Sequence, residues 1–110
     1  MLLVVLDGIG ISQTLIVAGQ EAVVDRSGSI AATAVAQQLL APNSMRSGFM
    51  LQNLSSVNPL YINDLGAATT TGGSFAVPPG AFFPPQGYPV STGALSVLGN
   101  AVSIYSEREW

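Results

Sequence analysis

Nine side chains of this chain are of types that carry charge at neutral pH. They are the carboxylates Asp7, Glu21, Asp25, Asp64, Glu107 and Glu109 and the guanidinium groups of Arg26, Arg46 and Arg108. Histidine, cysteine and lysine are absent, which removes the commonest general base, the thiol nucleophile and the Schiff-base amine. Glu107 and Glu109 flank Arg108, so on a strand they share a face and could bind a cation. The plainer reading is a solvated strand end. No Asp/Asn-rich loop offers the several oxygen ligands that calcium needs, and without cysteine there is neither a thiolate metal site nor a disulfide. Gly8-Ile9-Gly10 lacks the third glycine and the following helix of a dinucleotide fingerprint. These residues point to a protein that is not an enzyme and uses no metal and no cofactor.

Arg46 differs from the other charges because it stands alone in an uncharged stretch from Ser27 to Asn63. A lone arginine in such a place either pairs with a carboxylate inside the fold or spends its rigid fork of donors on backbone carbonyls. Asp64, Glu107, Glu109 and Asp25 are the candidate partners within the chain, and a pair across a subunit boundary is the alternative.

Three arginines against six acids give a net charge of −3. No basic stripe exists to neutralise phosphates, so nucleic acid is not an expected partner. Charged residues make up 8% of the 110 positions and hydrophobic ones 48%, against about 25% charged in ordinary domains. Soluble monomers use mixed surface charge to resist association. Two readings follow: a weakly charged monomer, or a surface covered by copies of itself or by another protein. The second fits the composition better. Met1-Leu2-Leu3-Val4-Val5-Leu6 has no basic flank, and Asp7 ends the apolar run at six residues. That is too short for a signal core or a membrane span, so no membrane is expected and a first strand is predicted.

The elements that must position these side chains are short. Gly, Pro and Asn pairs interrupt the chain at Asp7-Gly8, Gly19-Gln20, Ser27-Gly28, Pro42-Asn43, Asn58-Pro59, Gly72-Gly73, Pro78-Pro79-Gly80, Pro84-Pro85 and Gly99-Asn100, with β-branched runs between them. This pattern predicts an all-β fold, a small antiparallel β-sandwich of jelly-roll-like character, as a single domain over residues 1–110. Strands are expected at Leu2–Leu6, Thr14–Ala18 and Glu21–Asp25. Ser29–Ala41 has helix-compatible Ala and Gln, but Ile30, Thr33 and Val35 favour a strand in its first part, with an irregular turn near Gln38–Asn43. Phe49–Leu54 is apolar on both faces and reads as a buried central strand. Leu60–Asn63 is its expected hairpin partner across Ser55–Pro59. Ala67–Gly73 is a polar loop, Ser74–Val77 a strand stopped by Pro78-Pro79-Gly80, and Ala81–Pro89 an extended aromatic segment whose Phe82, Phe83 and Tyr88 need a surface, either in this domain or on a neighbour. Gly99-Asn100 predicts a two-residue hairpin joining Ala94–Leu98 to Ala101–Tyr105, with Val97 opposite Val102 and Leu95 opposite Ile104. Trp110, the sole tryptophan, is either unsupported or docked on a partner.

One order of residues is distinctive. Leu39-Leu40-Ala41-Pro42-Asn43, then Arg46, then Phe49-Met50-Leu51-Gln52-Asn53, Leu60-Tyr61-Ile62-Asn63, a Thr/Gly loop, Val77-Pro78-Pro79-Gly80, Gly93-Ala94-Leu95-Ser96-Val97 and Ala101-Val102-Ser103-Ile104 together resemble small virion proteins of tailed bacteriophages. The resemblance covers about residues 30–109, and its specific part is the spacing of the arginine and the Gln-Asn pair. It implies a virion structural protein, assembled in the bacterial host cytoplasm, more than it implies a place in the particle. The favoured reading is a decoration or cement protein that binds the major capsid protein or other virion proteins. A homo-oligomer is expected, with a trimer as the favoured form. Residues 29–110 would be the core module and 1–28 would adapt it to its neighbours. The alternative is a tail, neck or fibre module touching host glycans through Tyr61, Tyr88, Phe82 and Phe83; a non-viral glycan-binding sandwich is a third reading. The structural and interface candidates are Arg46, Gln52, Asn53, Phe82, Phe83, Tyr88 and Trp110.

Overall fold

Short apolar runs broken by glycine and proline cannot satisfy their backbone groups locally, so they must close hydrogen-bond ladders with distant segments. In the computed structural model, which describes residues 2–6, 12–16 and 22–110, they do so in antiparallel sheets, and no helix forms among the described residues. The strands are β1 (Leu2–Leu6), β2 (Ser12–Ile16), β3 (Val24–Asp25), β4 (Gly28–Ser29), β5 (Gln37–Leu40), β6 (Phe49–Asn53), β7 (Leu60–Asn63), β8 (Phe75–Val77), β9 (Phe82–Phe83), β10 (Leu95–Leu98) and β11 (Ile104–Glu109). One sheet has the order β5-β10-β7-β8. The other runs β3-β11-β6-β9, with β4 also paired to β11. The turn markers Asp7-Gly8 and Gly19-Gln20 and the pattern Gly8-Ile9-Gly10 lie outside the described residues, as do the ends of the two expected strands at Val17, Ala18 and Glu21.

The two larger sheets form a β-sandwich. Leu40, Leu60, Ile62, Val77, Leu95 and Val97 of the first sheet meet Phe49, Leu51, Phe83 and Tyr105 of the second, with Ile30 and Leu39 completing the layer. Each aliphatic side chain fully buried there contributes ~1.5–3 kcal/mol relative to exposure. At one end of the core Phe83 sits 6.0 Å from Phe49, 5.6 Å from Phe75 and 5.8 Å from Tyr88, centroid to centroid.

Both expected hairpins are replaced by crossings between the sheets. β10 pairs with β5 and β7, and β11 pairs with β6, β3 and β4. Each strand is therefore central in its own sheet and has no free edge for the other. Gly99–Ser103 bridges them instead. The Ala34 and Val102 N–H groups donate to Gly99 and Ile30 carbonyls, and Ser103 O accepts from Ile30 N at 2.9 Å. A Cβ at Gly99 would meet the Leu60 side chain at 2.8 Å and Ile30 at 3.2 Å, so glycine there suits close packing rather than a tight hairpin. Val102 turns outward with φ +60° and is exposed. Likewise Ser55–Pro59 carries the chain from β6 in one sheet to β7 in the other.

Two further expectations change. β6 is central, lying between β11 and β9, but only one of its faces is covered: Phe49, Leu51 and Asn53 point inward while Met50 is half exposed. Around Ser29–Ala41 the order is reversed, with turns first and strand β5 at Gln37–Leu40. Gln37 folds the turn by accepting from Ala31 N at 2.9 Å and donating to Ser29 O at 3.0 Å, and β10 supplies the ladder for the residues that follow.

Candidate interaction face and its buried support

In β6 and β11 alternate residues point to opposite sides of the sheet, and the register fixes which ones share a face. Phe49, Leu51 and Asn53 lie opposite Glu109, Glu107 and Tyr105, and Met50 and Gln52 lie opposite Arg108 and Ser106. The inner face therefore carries two glutamates, 1% and 3% exposed. The sequence places Glu107 and Glu109 on one face correctly, but that face is the core and not solvent.

The support is built around Arg46, whose side chain is fully buried. Its Nε donates to Glu109 Oε1 at 3.1 Å, Nη1 donates to the carbonyls of Ser91 (2.6 Å) and Gly93 (3.1 Å), and Nη2 to that of Ala41 (2.6 Å). Of the four carboxylates considered from sequence, Glu109 is thus the partner, and the carbonyl fork forms as well. Asn43 Nδ2 reaches the same Oε1 at 3.0 Å and Arg26 Nε takes Oε2 at 2.8 Å. Burial pushes the Glu109 carboxyl up, but the bonds from Asn43, Arg46 and Arg26 and the Arg46 charge outweigh it and hold it below its ordinary value. Glu107 has no such help. Neither carboxyl oxygen has a hydrogen-bond partner, and burial, with the Glu109 charge beside it, pushes its pKa up to about 9 against the weaker pull of Arg46 and Arg26. At neutral pH Glu107 is an un-ionised acid inside the sandwich, and desolvation is the cause.

Asp64 and Asp25 serve elsewhere. Asp64 Oδ2 accepts from the Tyr88 hydroxyl at 2.7 Å and from Ser91 Oγ at 2.5 Å. Partial burial raises its pKa, yet those two bonds hold it below the usual carboxylate value, and accepting the bond raises that of Tyr88. Asp25 pairs with Arg108 at 2.8 Å on the outside. Asn53, fully buried, pins the β6–β7 crossing: its Nδ2 donates to Asn58 O and Val77 O, each at 2.9 Å, and its Oδ1 accepts from Ser55 N.

The outer face of the same sheet is apolar and open. Met50, Phe82 and Ile104 are each about half exposed and Leu54 beside them slightly less, with Gln52, Ser106 and Arg108 between them. The β9 register sets Phe82 next to Gln52 and turns Phe83 inward beside Leu51. Gln52 Nε2 donates to Gly80 O at 3.1 Å, which ties the turn after β8 to this face. A shallow cleft of about 220 Å³ runs between Met50, Gln52, Phe82, Ser106 and Arg108.

Of the candidate residues, the structure brings Gln52 and Phe82 together on this face and puts Arg46 and Asn53 inside as supports. Phe83 is buried and Tyr88 packs against the core, so Tyr61, Tyr88, Phe82 and Phe83 do not converge on one surface. Trp110 is held by its own chain: its carbonyl accepts from the N–H groups of Ser47 and Gly48, and its N–H donates to Gly48 O. The ring lies on Gly48, where a Cβ would come within 2.6 Å of it. Sequence reasoning missed Met50, read as part of a strand buried on both faces, and Ile104, set opposite Leu95 in a hairpin. The alternation of Ile104, Ser106 and Arg108 against Tyr105, Glu107 and Glu109 was a signal, but its polarity points the wrong way. Comparison of the chain with protein-family models, with curated proteins and with solved structures gives no match.

Proposed function

We propose that this chain is a non-enzymatic structural protein of a tailed-bacteriophage virion that decorates and stabilises the shell of major capsid protein. The observation that carries this reading is the outer face of the five-stranded sheet. Met50, Phe82, Ile104 and Leu54 stand half open there, in a chain with only 8% charged residues. An apolar face of this kind, bordered by polar groups, is characteristic of a protein–protein contact. The order of residues shared with small virion proteins supplies the particular setting. Its specific members hold the face in place: Arg46 and Asn43 anchor Glu109, Asn53 pins the crossing out of β6, and Gln52 lies on the face itself.

The mechanism is mass action. A protein that binds only the assembled shell raises the shell's stability by the free energy of binding. The test compares the heat resistance of particles with and without the protein. Particles that carry it are expected to release nucleic acid at a higher temperature, and equal release temperatures would sink the stabilising role. Copy number per particle, by quantitative mass spectrometry, separates shell from tail: hundreds of copies mean shell decoration, and a few copies mean a tail, neck or fibre position.

A further inference from the structure

The first two strands form a ribbon by themselves. β1 and β2 pair antiparallel with Leu2 opposite Ile16, Leu3 opposite Leu15, Val4 opposite Thr14, Val5 opposite Gln13 and Leu6 opposite Ser12, and among the described residues no third strand joins them. A two-stranded ribbon alone is marginal in water. This one is also uncharged throughout, and β1 is aliphatic at all five positions. Aliphatic residues at successive positions are the pattern of a strand covered on both sides, and an uncharged edge free of proline is the kind that seeks a partner.

The same chain carries a second uncovered apolar surface. Met50, Phe82 and Ile104 on the outer face remain 50%, 57% and 51% exposed, so the chain's own ribbon does not bury them. Every copy therefore brings one aliphatic ribbon that no third described strand joins and one apolar sheet face that stands half exposed. We infer that the β1–β2 ribbon of one copy lies on the outer β11-β6-β9 face of a second copy. This deepens the reading of that face as a protein contact by naming its occupant. Ribbon and face are different surfaces, so the contact is head-to-tail, and repetition closes a ring when the rotation allows it. Held between donor and acceptor bodies, the ribbon is covered on both sides. The ribbon is uncharged, and Arg108, the charge that lies among the apolar residues of the face, is already paired with Asp25.

The natural lack of cysteine makes the test direct. Tagged chains carrying Leu3→Cys or Val4→Cys, which sample the two sides of the ribbon, are mixed with untagged chains carrying Phe82→Cys and mildly oxidised. The expected result is a tagged–untagged disulfide on a non-reducing gel from one of the two ribbon variants. It would accompany a sedimentation mass that is a multiple of 11.3 kDa for the unsubstituted chain. Val4→Asp is expected to return that mass to the monomer while the urea midpoint of the sandwich is unchanged. A monomer without substitution, or cross-links only between like-substituted chains, overturns the inference. Binding of Val4→Asp to shells that lack the protein separates the two proposals. A chain that binds shells as a monomer keeps the decoration reading while the ribbon contact fails, and an oligomer that binds no shell does the reverse.

Discussion

Each face of the five-stranded sheet holds residues that the usual rule would put on the other. β6 and β11 send Glu107 and Glu109 into the sandwich and leave Met50 and Ile104 half open on the outside. The inner face tolerates its acids for two different reasons. Glu109 stays charged because three donors surround it, whereas Glu107, two residues away, stays buried by keeping its proton. Among the described residues nothing covers the outer face. The difference teaches that one buried acid is held charged by donors of the fold and the other is kept neutral by burial, while Met50 and Ile104 stay half exposed.

Substitutions can break this contrast in order of size. Arg46→Ala would leave Glu109 short of its deepest donor and the Ala41, Ser91 and Gly93 carbonyls unpaired, a loss of about 3–5 kcal/mol for an opened buried pair. Arg26→Ala removes a half-exposed partner of the same carboxylate and should cost below ~1 kcal/mol. Urea midpoints at constant m-value check the pair, and equal shifts would refute the buried-anchor role.

Glu107 gives the sharpest test of the inner face. Its pKa is raised on folding, so the folded state holds a proton that the unfolded chain releases. That contribution is complete below the ordinary glutamate value of 4.5 and is lost as pH rises toward about 9, at up to ~1.4 kcal/mol per pH unit. Glu109 and Asp64 are lowered and act the other way, losing their contribution as pH falls below the ordinary carboxylate range. Stability should therefore peak near the mildly acidic end, and Glu107→Gln should flatten the decline between pH 5 and 9. Denaturation curves that fall equally for both proteins over that range would show that Glu107 is ionised in the fold.

Asn53→Ala leaves the buried carbonyl of Val77 and the part-buried carbonyl of Asn58 without their donor, at ~1–3 kcal/mol, measurable as a lower melting temperature. The smallest effect belongs to the outer face. Phe82→Ser is expected to change stability by less than ~0.5 kcal/mol while lowering the sedimentation mass to that of the monomer. A large loss of stability would mean that Phe82 is part of the core.

Much of the architecture is legible from residue order. The breaks at Pro42-Asn43, Asn58-Pro59 and Pro78-Pro79-Gly80 mark where strands stop, and the runs at 2–6, 49–53, 60–63 and 75–77 are the strands themselves. Arg46 reads as an internal anchor because nothing else charged lies near it in the chain. Trp110 had no local sign of its fate, since its resting place on Gly48 is built by β6 and β11 pairing across the whole domain.

What the sequence determines alone is therefore the β class, the spacing of the strands and the isolation of Arg46, all of which rest on local propensity and charge. What only the tertiary structure decides is which strand neighbours which. Gly99-Asn100 and Asn58-Pro59 are locally fit for hairpins, but β10, β11, β6 and β7 each find better ladders with distant segments. That choice sends Glu107 and Glu109 inward and Ile104 outward, against what their polarity suggests. A strand's alternation fixes that two sets of side chains face apart; only the packing of the second sheet determines which set is inside.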